Sequence, residues 1–270
     1  MRSLCDESRN AGKKIALVPT MGALHEGHIS LVDIARRNAD FVVVSVFVNP
    51  TQFGPGEDFD KYPRMIDEDA CKVAAAGAHA VFAPEAASMY PSGFATYVTV
   101  EGLTDGLCGR SRPNHFRGVT TVVTKLFAIV RPHCAVFGRK DAQQLAVIRR
   151  MTDDLELNVE IIAAPIVRES DGLAMSSRNR YLSLEERAQA TILCRSLFAA
   201  REMVARGEND SGAIVASVSA MIGKSPLAVI DYVEIVDAYT MATETTVTER
   251  SLIAVAVRFD GAAGDEEVDD

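Results

Sequence analysis

The sequence predicts an α/β protein, a Rossmann-like doubly wound parallel sheet accompanied by a second, smaller α+β domain. Three observations carry this. Strand candidates at 15–19, 41–48, 80–82, 134–137 and 159–163 alternate with helical patterns at 29–38, 66–76, 120–129 and 143–155, the rhythm of a parallel sheet with helices on both faces. The run Phe41-Val42-Val43-Val44-Ser45-Val46-Phe47-Val48 is β-branched and almost continuously apolar, as a central strand buried on both faces should be. After Pro165 the character changes: an irregular stretch over 168–182 leads to Ser183, with Glu186 three residues later in a capping-box arrangement. From there helices are expected at 185–205 and 212–222 and strands at 229–236 and 252–259, with a break at Ser225-Pro226. The expected division is therefore a first domain over 1–167, a second over 168–260, and a Gly, Ala and acid tail over 261–270 without regular structure.

With 270 residues and 48% apolar residues the chain can bury a large core. A net charge of −9 and a pI near 5.1 argue against a nucleic-acid surface, which needs clustered Lys and Arg on one face. Five scattered cysteines show no CxxC pair, so neither a disulfide framework nor a structural zinc site is expected. The first ten residues are charged and polar, and no later run approaches about twenty apolar residues, which predicts a cytoplasmic protein without a membrane span.

Three segments carry chemistry. In the first, the apolar strand ending Val18-Pro19-Thr20 runs through Met21-Gly22-Ala23-Leu24 into His25-Glu26-Gly27-His28, which opens an amphipathic helix. Unpaired N–H groups at a helix N-terminus carry partial positive charge and receive anions, and two imidazoles three residues apart lie beside them on one face. A lone histidine there would often be only a satisfied structural residue. Zinc is the rival for the pair, but the helical metalloprotease spacing is four residues with a glutamate between. Second, Phe137-Gly138-Arg139-Lys140-Asp141-Ala142-Gln143-Gln144 follows a strand and precedes a helix, at the strand edge where open α/β sheets bind ligands. Gly138 would let a ribose or phosphate approach, Lys140 supplies positive charge, and Asp141 could accept from sugar hydroxyls; the plain alternative is an ordinary loop with Asp141 as helix cap. Third, Asp171-Gly172-Leu173-Ala174-Met175-Ser176-Ser177-Arg178-Asn179-Arg180 joins hydroxyls to arginines. It could close over a triphosphate, with Arg178 meeting charge on a leaving pyrophosphate, or be a turn-rich linker.

Together these segments, with FVNPTQFGPGEDFDKYPR, RPNHFRGVTTVV, VRESDGLAMSSRNRYLS and Asp231-Tyr232-Val233-Glu234-Ile235-Val236-Asp237, resemble the pantoate and β-alanine ligases of the HIGH-motif nucleotidyltransferase superfamily over nearly the whole chain. HxGH alone would indicate only the superfamily. The resemblance implies ATP-dependent condensation of pantoate with β-alanine to pantothenate through a pantoyl adenylate, releasing AMP and pyrophosphate. It implies that 1–167 binds ATP and pantoate, that 168–260 acts as a lid domain, and that Mg²⁺ accompanies ATP, with its protein ligands unknown. Carried over by position, ATP contacts fall on Met21, Gly22, Ala23, Leu24, His25, Glu26, Gly27, His28, Gly138, Arg139, Lys140, Asp141, Val167, Met175, Ser176, Ser177 and Arg178. Catalysis falls on His28, the position the family treats as proton donor, with His25, Lys140 and Arg178. Pantoate falls on Gln52 and Gln144, whose amides bind hydroxyls and carboxylate without adding a charge; the alternative is that they bond only loop backbone. Gly54 to Arg64 looks like a mobile lid loop, and a homodimer is implied.

Departures are Arg139 and Ala142, where an acidic residue and an aromatic are common, Asn114, where glycine is common, and the acidic tail. Two other readings stand beside the ligase. One is another HxGH adenylyltransferase acting on a phosphorylated acceptor; the other is a catalytically inactive nucleotide-binding regulator, which would have lost a reactive-centre residue.

Overall fold

The computed structural model describes residues 1–259 and the backbone of 266–269. The chain divides into two compact units, one of 1–101, 112–139 and 147–165, the other of 102–111, 140–146 and 166–270.

The first unit opens with helix α1 (Arg2–Asn10), which no apolar periodicity marks in the sequence because it is polar and buries little beyond Cys5 and Ser8. Five strands follow, β1 (Ile15–Thr20), β2 (Phe41–Val46), β3 (Ala80–Phe82), β4 (Cys134–Gly138) and β5 (Glu160–Ala164). They form a parallel sheet in the order β3-β2-β1-β4-β5. The connecting helices are α2 (Glu26–Asn38), α3 (Ile66–Ala75), the short α4 (Ala86–Met89) and, after a passage through the second unit, α6 (His115–Val130). Alternating residues Ala16, Val18, Val42, Val44, Cys134 and Val136 join Leu31, Val32 and Ala35 of α2 in one core, the two-residue period that sends successive side chains to opposite faces. On the other side α1 and α6 contact β1. Arg9 ties these helices by donating Nη2 to the carbonyls of Val130 (3.1 Å) and Arg131 (2.7 Å), which the end of α6 leaves without helical partners. The strand order reverses at β1, between β2 and β4, so the carboxyl ends of β1 and β4 border the crevice where such sheets bind ligands.

The second unit contributes α5 (Leu107–Ser111) and the start of α7 (Ala142–Asp154), whose later residues belong to the first. Its main body holds α8 (Leu184–Ala190), α9 (Ile192–Ala205), α10 (Ser211–Ile222) and the antiparallel strands β6 (Ala228–Asp237), β7 (Ser251–Phe259) and β8 (Glu266–Asp269). Val233, Ile235, Val255, Val257 and Phe259 pack with Leu193, Ala200, Ile214, Val218 and Ile222 of α9 and α10, while Tyr232, Val236 and Ala256 pack with Leu107, Ala146 and Met241. Both faces of the pairing are thus covered.

Two expectations need correction here. The helix expected over 185–205 is two helices, broken at Thr191, whose hydroxyl donates to the Ala188 carbonyl at 3.0 Å in competition with the backbone ladder. Within the tail expected to be irregular, Glu266–Asp269 extends the sheet beside β7; an antiparallel edge offers backbone partners whatever the composition. The remaining tail positions, 261–265 and 270, lie outside the described residues. The capping box at α8 forms as expected, with Glu186 N donating to Ser183 Oγ (3.2 Å) and Ser183 N to Glu186 Oε2 (2.6 Å).

Candidate active site

In the first unit the chain leaving β1 makes a tight turn. Gly22 has φ +92° and Ala23 φ +52°, both left-handed, and a Cβ on Gly22 would lie 3.0 Å from both Asp69 Oδ2 and Val46 Cγ1. Glycine is therefore required for both conformation and space. The turn delivers His25 as the N-cap of α2 with extended backbone (φ −131°, ψ 178°). Gly27 N donates to His25 Nδ1 at 3.1 Å and His25 N donates to His28 Nδ1 at 3.3 Å. This is a capping box built from two imidazoles instead of a hydroxyl and a carboxylate. Because both Nδ1 atoms accept from backbone N–H groups, each neutral ring carries its proton on Nε2. Gly22, Ala23 and Leu24 are buried, Met21, His25, Gly27 and His28 half-buried, and Glu26 exposed.

Gln52 is buried in a 3-10 turn, Pro50–Gln52. Its Nε2 reaches Met21 Sδ at 2.9 Å and its Oε1 accepts from Asn49 Nδ2 at 3.1 Å. Two positions far apart in sequence, one expected at ATP and one at pantoate, are thus brought together. The Gln52 carbonyl accepts from Arg112 Nη2 (3.4 Å) and lies 2.8 Å from His115 Nδ1. Gly138 ends β4, which pairs with β1, and the exposed Arg139 donates its N–H to the Ala164 carbonyl at 2.9 Å.

In the second unit Lys140 and Gln144 are half-buried and Asp141 exposed. The neighbouring Gln143 is buried and spends its Nε2 on the carbonyls of Leu103 and Gly106, both at 2.9 Å. Of the two adjacent glutamines, Gln143 is therefore structural. Further on, Arg168 bridges to Ala174 and Met175 N donates to Val167 O at 2.9 Å, which joins two expected ATP contacts. Ser176 caps the 3-10 turn Ser177–Tyr181 by accepting from Arg178 N at 3.3 Å. Asn179 Nδ2 anchors this turn to Glu169 Oε1 (2.8 Å) and Ala174 O (2.9 Å), and Arg187 clasps both Glu169 and Asp171 at 2.7 Å. Met175, Ser176, Ser177 and Arg178 are half-buried, so this rigidly braced turn keeps its donors within reach of solvent.

The family model for pantoate–β-alanine ligase matches residues 1–263. The chain belongs to the pantoate–β-alanine ligase family. It is 56% identical to the pantothenate synthetase of Acetivibrio thermocellus over 96% of this chain and 92% of that protein. It matches the crystal structure of the Thermus thermophilus pantothenate synthetase with a TM-score of 0.92 at 45% identity, covering 98% of this chain and 96% of that one. The Francisella tularensis pantoate–β-alanine ligase, solved in complex with β,γ-ATP and β-alanine, matches with a TM-score of 0.77 at 29% identity, covering 99% and 94%.

As a member of this family the ligase forms a C–N bond. One departure now has a physical account. Asn114 sits at the N-terminus of α6 with φ +69°, a conformation glycine adopts freely and asparagine tolerates better than other residues. Ala142 simply begins α7, and nothing in the structure explains Arg139.

Three residues not expected from the sequence shape the candidate site. Asn49 bonds Gln52, the Gly118 carbonyl (3.1 Å) and Tyr90. Gly118 lies so close that a Cβ would stand 2.3 Å from the Thr51 carbonyl oxygen. Asp69, wholly buried, accepts from Ala23 N and Leu24 N. The strand-to-turn segment that ends in Asn49 and the glycine of RPNHFRG were visible signals for the first two; no pattern marks Asp69.

The loop from Gly54 to Arg64, expected as a lid, has its own packing. Phe53 meets Phe59 and Tyr62 edge-on at 5.3 and 6.1 Å, and the Arg64 guanidinium lies 5.2 Å over Phe59. Arg112 grips Glu57 through Nε at 3.0 Å and through Nη2. Burial raises the Glu57 carboxyl, but the hydrogen bond and charge of Arg112 outweigh it and hold the group below the usual glutamate value.

Proposed function

We propose that the ligase condenses pantoate with β-alanine at the expense of ATP, and that the imidazole pair at the start of α2 carries the first step. The observation that supports this reading most is the reciprocal cap of His25 and His28. It fixes two Nε2–H donors beside a helix N-terminus at the crevice between β1 and β4, where negative charge is favoured.

The pantoate carboxylate attacks the α-phosphorus of ATP, a P–O bond forms, and the bond to pyrophosphate breaks with both electrons leaving on the pyrophosphate. The β-alanine amine then attacks the acyl carbon of pantoyl adenylate, AMP leaves, and the amine proton is lost to give pantothenate. Neither step needs a covalent enzyme intermediate; what it needs is alignment and donors aimed at developing charge. His28 and His25 supply neutral donors to phosphate oxygens, with His28 the proton donor. Lys140 and Arg178 supply positive charge, and Ser176 and Ser177 supply hydroxyls. The positions Met21, Gly22, Ala23, Leu24, Glu26 and Gly27, with Gly138, Arg139, Asp141, Val167 and Met175, complete the ATP contacts that the family resemblance implies. Gln52 and Gln144 hold pantoate, and the Gly54 to Arg64 loop closes to keep water from the acyl adenylate.

Among the described residues no three His, Cys, Asp or Glu side chains gather as a ligand cage. A Mg²⁺ held by phosphate oxygens and water needs few protein ligands. Bound with ATP it neutralises phosphate charge. The second domain acts as a lid, and a homodimer follows from the family resemblance. Placement in the cytoplasm is supported by cysteines that are all thiols, Cys71 exposed among them; among the described residues no helix is long and apolar enough to cross a membrane.

Incubation with ATP, Mg²⁺, pantoate and β-alanine tests the reading. AMP and pantothenate should appear in equal amounts and only when both acids are present; an adenylylated product without free AMP would overturn it.

A further inference from the structure

We propose that Asp69 is a positioning residue for ATP: its carboxylate sets the shape in which the turn before α2 presents its imidazole donors. This rests on the ATP-site reading above. Asp69 stands in the first turn of α3 and is 0% exposed. Its Oδ2 accepts from Ala23 N at 2.9 Å and its Oδ1 from Leu24 N at 2.8 Å. A buried carboxylate is costly unless its oxygens are bonded, and here consecutive backbone N–H groups of the turn bond both.

The turn needs such a hold. Ala23 is left-handed at φ +52°, a conformation that costs an L-residue energy and persists only where the surroundings impose it. Asp69 Oδ2 is also one of the two atoms a Cβ on Gly22 would meet at 3.0 Å, so the carboxylate lies directly against the turn. One helical turn further along α3, Lys72 Nζ donates to Leu24 O at 2.9 Å. The helix therefore grips Leu24 at both its N–H and its carbonyl. The next residue is His25, whose N–H and ring form the cap with His28. A displacement of Leu24 would carry the adjoining His25 cap with it, and a misplacement of about 1 Å can cost on the order of 100-fold in rate.

Asp69→Asn keeps the size but leaves one oxygen for two N–H donors. The test is pantoate-dependent exchange between ATP and pyrophosphate, with KM measured separately for ATP and pantoate, alongside thermal unfolding and calorimetric titration with ATP. We expect exchange efficiency toward ATP to fall by about 10- to 100-fold, as for loss of a hydrogen bond to a charged group, with the KM for pantoate unchanged. A folded Asp69→Asn protein with wild-type ATP constants would overturn the proposal, as would a KM for pantoate raised as much as the KM for ATP. Should Asp69→Asn fail to fold, Asp69→Glu decides, since it keeps both acceptor oxygens but moves them by a methylene against Ala23 N and Leu24 N: a raised KM for ATP with pantoate unaffected supports the proposal and wild-type constants overturn it. If the wild-type protein exchanges no pyrophosphate, the adenylate mechanism fails instead, and the titrations still compare ATP binding by wild type and variant.

Discussion

His28 accepts the His25 backbone N–H on Nδ1, while His25 accepts Gly27 N–H on its own Nδ1, and the two rings stand 4.1 Å apart. The same two bonds complete the helix N-terminus and fix which ring nitrogen carries the proton. Nitrogen NMR of the labelled protein at neutral pH should therefore show both rings protonated at Nε2 and not at Nδ1. The opposite tautomer on either ring would remove the arrangement of donors on which the mechanism relies.

Substitution can separate capping from chemistry. Asparagine is among the best N-caps, so His25→Asn should retain thermal stability while lowering the rate of pantoyl adenylate formation. His28→Ala should slow that step on the order of 100-fold or more, as loss of a donor to developing charge does. Single-turnover formation of the adenylate with melting curves on the same samples reads both effects; wild-type rates in either variant would take that histidine out of the mechanism.

Gly118→Ala should separate α6 from the Asn49 to Gln52 turn, because the new methyl would stand 2.3 Å from a carbonyl oxygen. The expected cost is about 1–3 kcal/mol of stability, as in other overpacked sites, together with a raised KM for pantoate as Gln52 shifts. Chemical denaturation and initial rates at varied pantoate measure it, and an unchanged KM would show that Gln52 does not hold pantoate.

Asn114→Gly should be tolerated and Asn114→Ala should cost about 1 kcal/mol, the penalty of a left-handed conformation for a residue with an ordinary Cβ. Equilibrium unfolding of the two variants compares them directly, and equal stability would mean that the φ of +69° is not what asparagine serves there.

Much of this was legible in the sequence, for reasons that individual residues make plain. The parallel sheet was readable because Phe41 to Val46 is apolar almost throughout and because strands and helices alternate at short spacing. His25 and His28 stood out because their chemistry is distinctive and their spacing local, whereas Gln52 was marked by the resemblance of its NPTQFG segment to the family. Helix α1 did not stand out, since its stability comes from long-range bonds such as Arg9 to Val130 O instead of an apolar stripe. Asp69 was hidden for the same reason: an acidic residue among Asp67 and Glu68 looks like the solvated first turn of a helix, and only the folded chain shows it turned inward. The break at Thr191 was missed because threonine within a helical pattern is ordinary until its hydroxyl is seen on the Ala188 carbonyl.

Acid should loosen two braces. Burial works against ionised Glu57, yet Arg112 outweighs it, and Asp171 is lowered chiefly by its hydrogen bond to Arg187. Carboxyls held below their unfolded values stabilise the protein fully above those values, 4.5 and 3.8, and lose that contribution as pH falls through the lowered ones. Melting temperature followed from neutral pH to about pH 3 should therefore fall less steeply for Glu57→Gln than for wild type. Parallel curves would mean that the Glu57 pair does not contribute.

The most direct test of the central claim is exchange of labelled pyrophosphate into ATP by the wild-type protein in the absence of β-alanine. The mechanism that the family resemblance implies, with its first step at the His25 and His28 pair, forms pantoyl adenylate before the amine takes part, so exchange should occur with pantoate and Mg²⁺ alone and vanish without pantoate. Exchange that requires β-alanine, or none under any condition while pantothenate still forms, would contradict it.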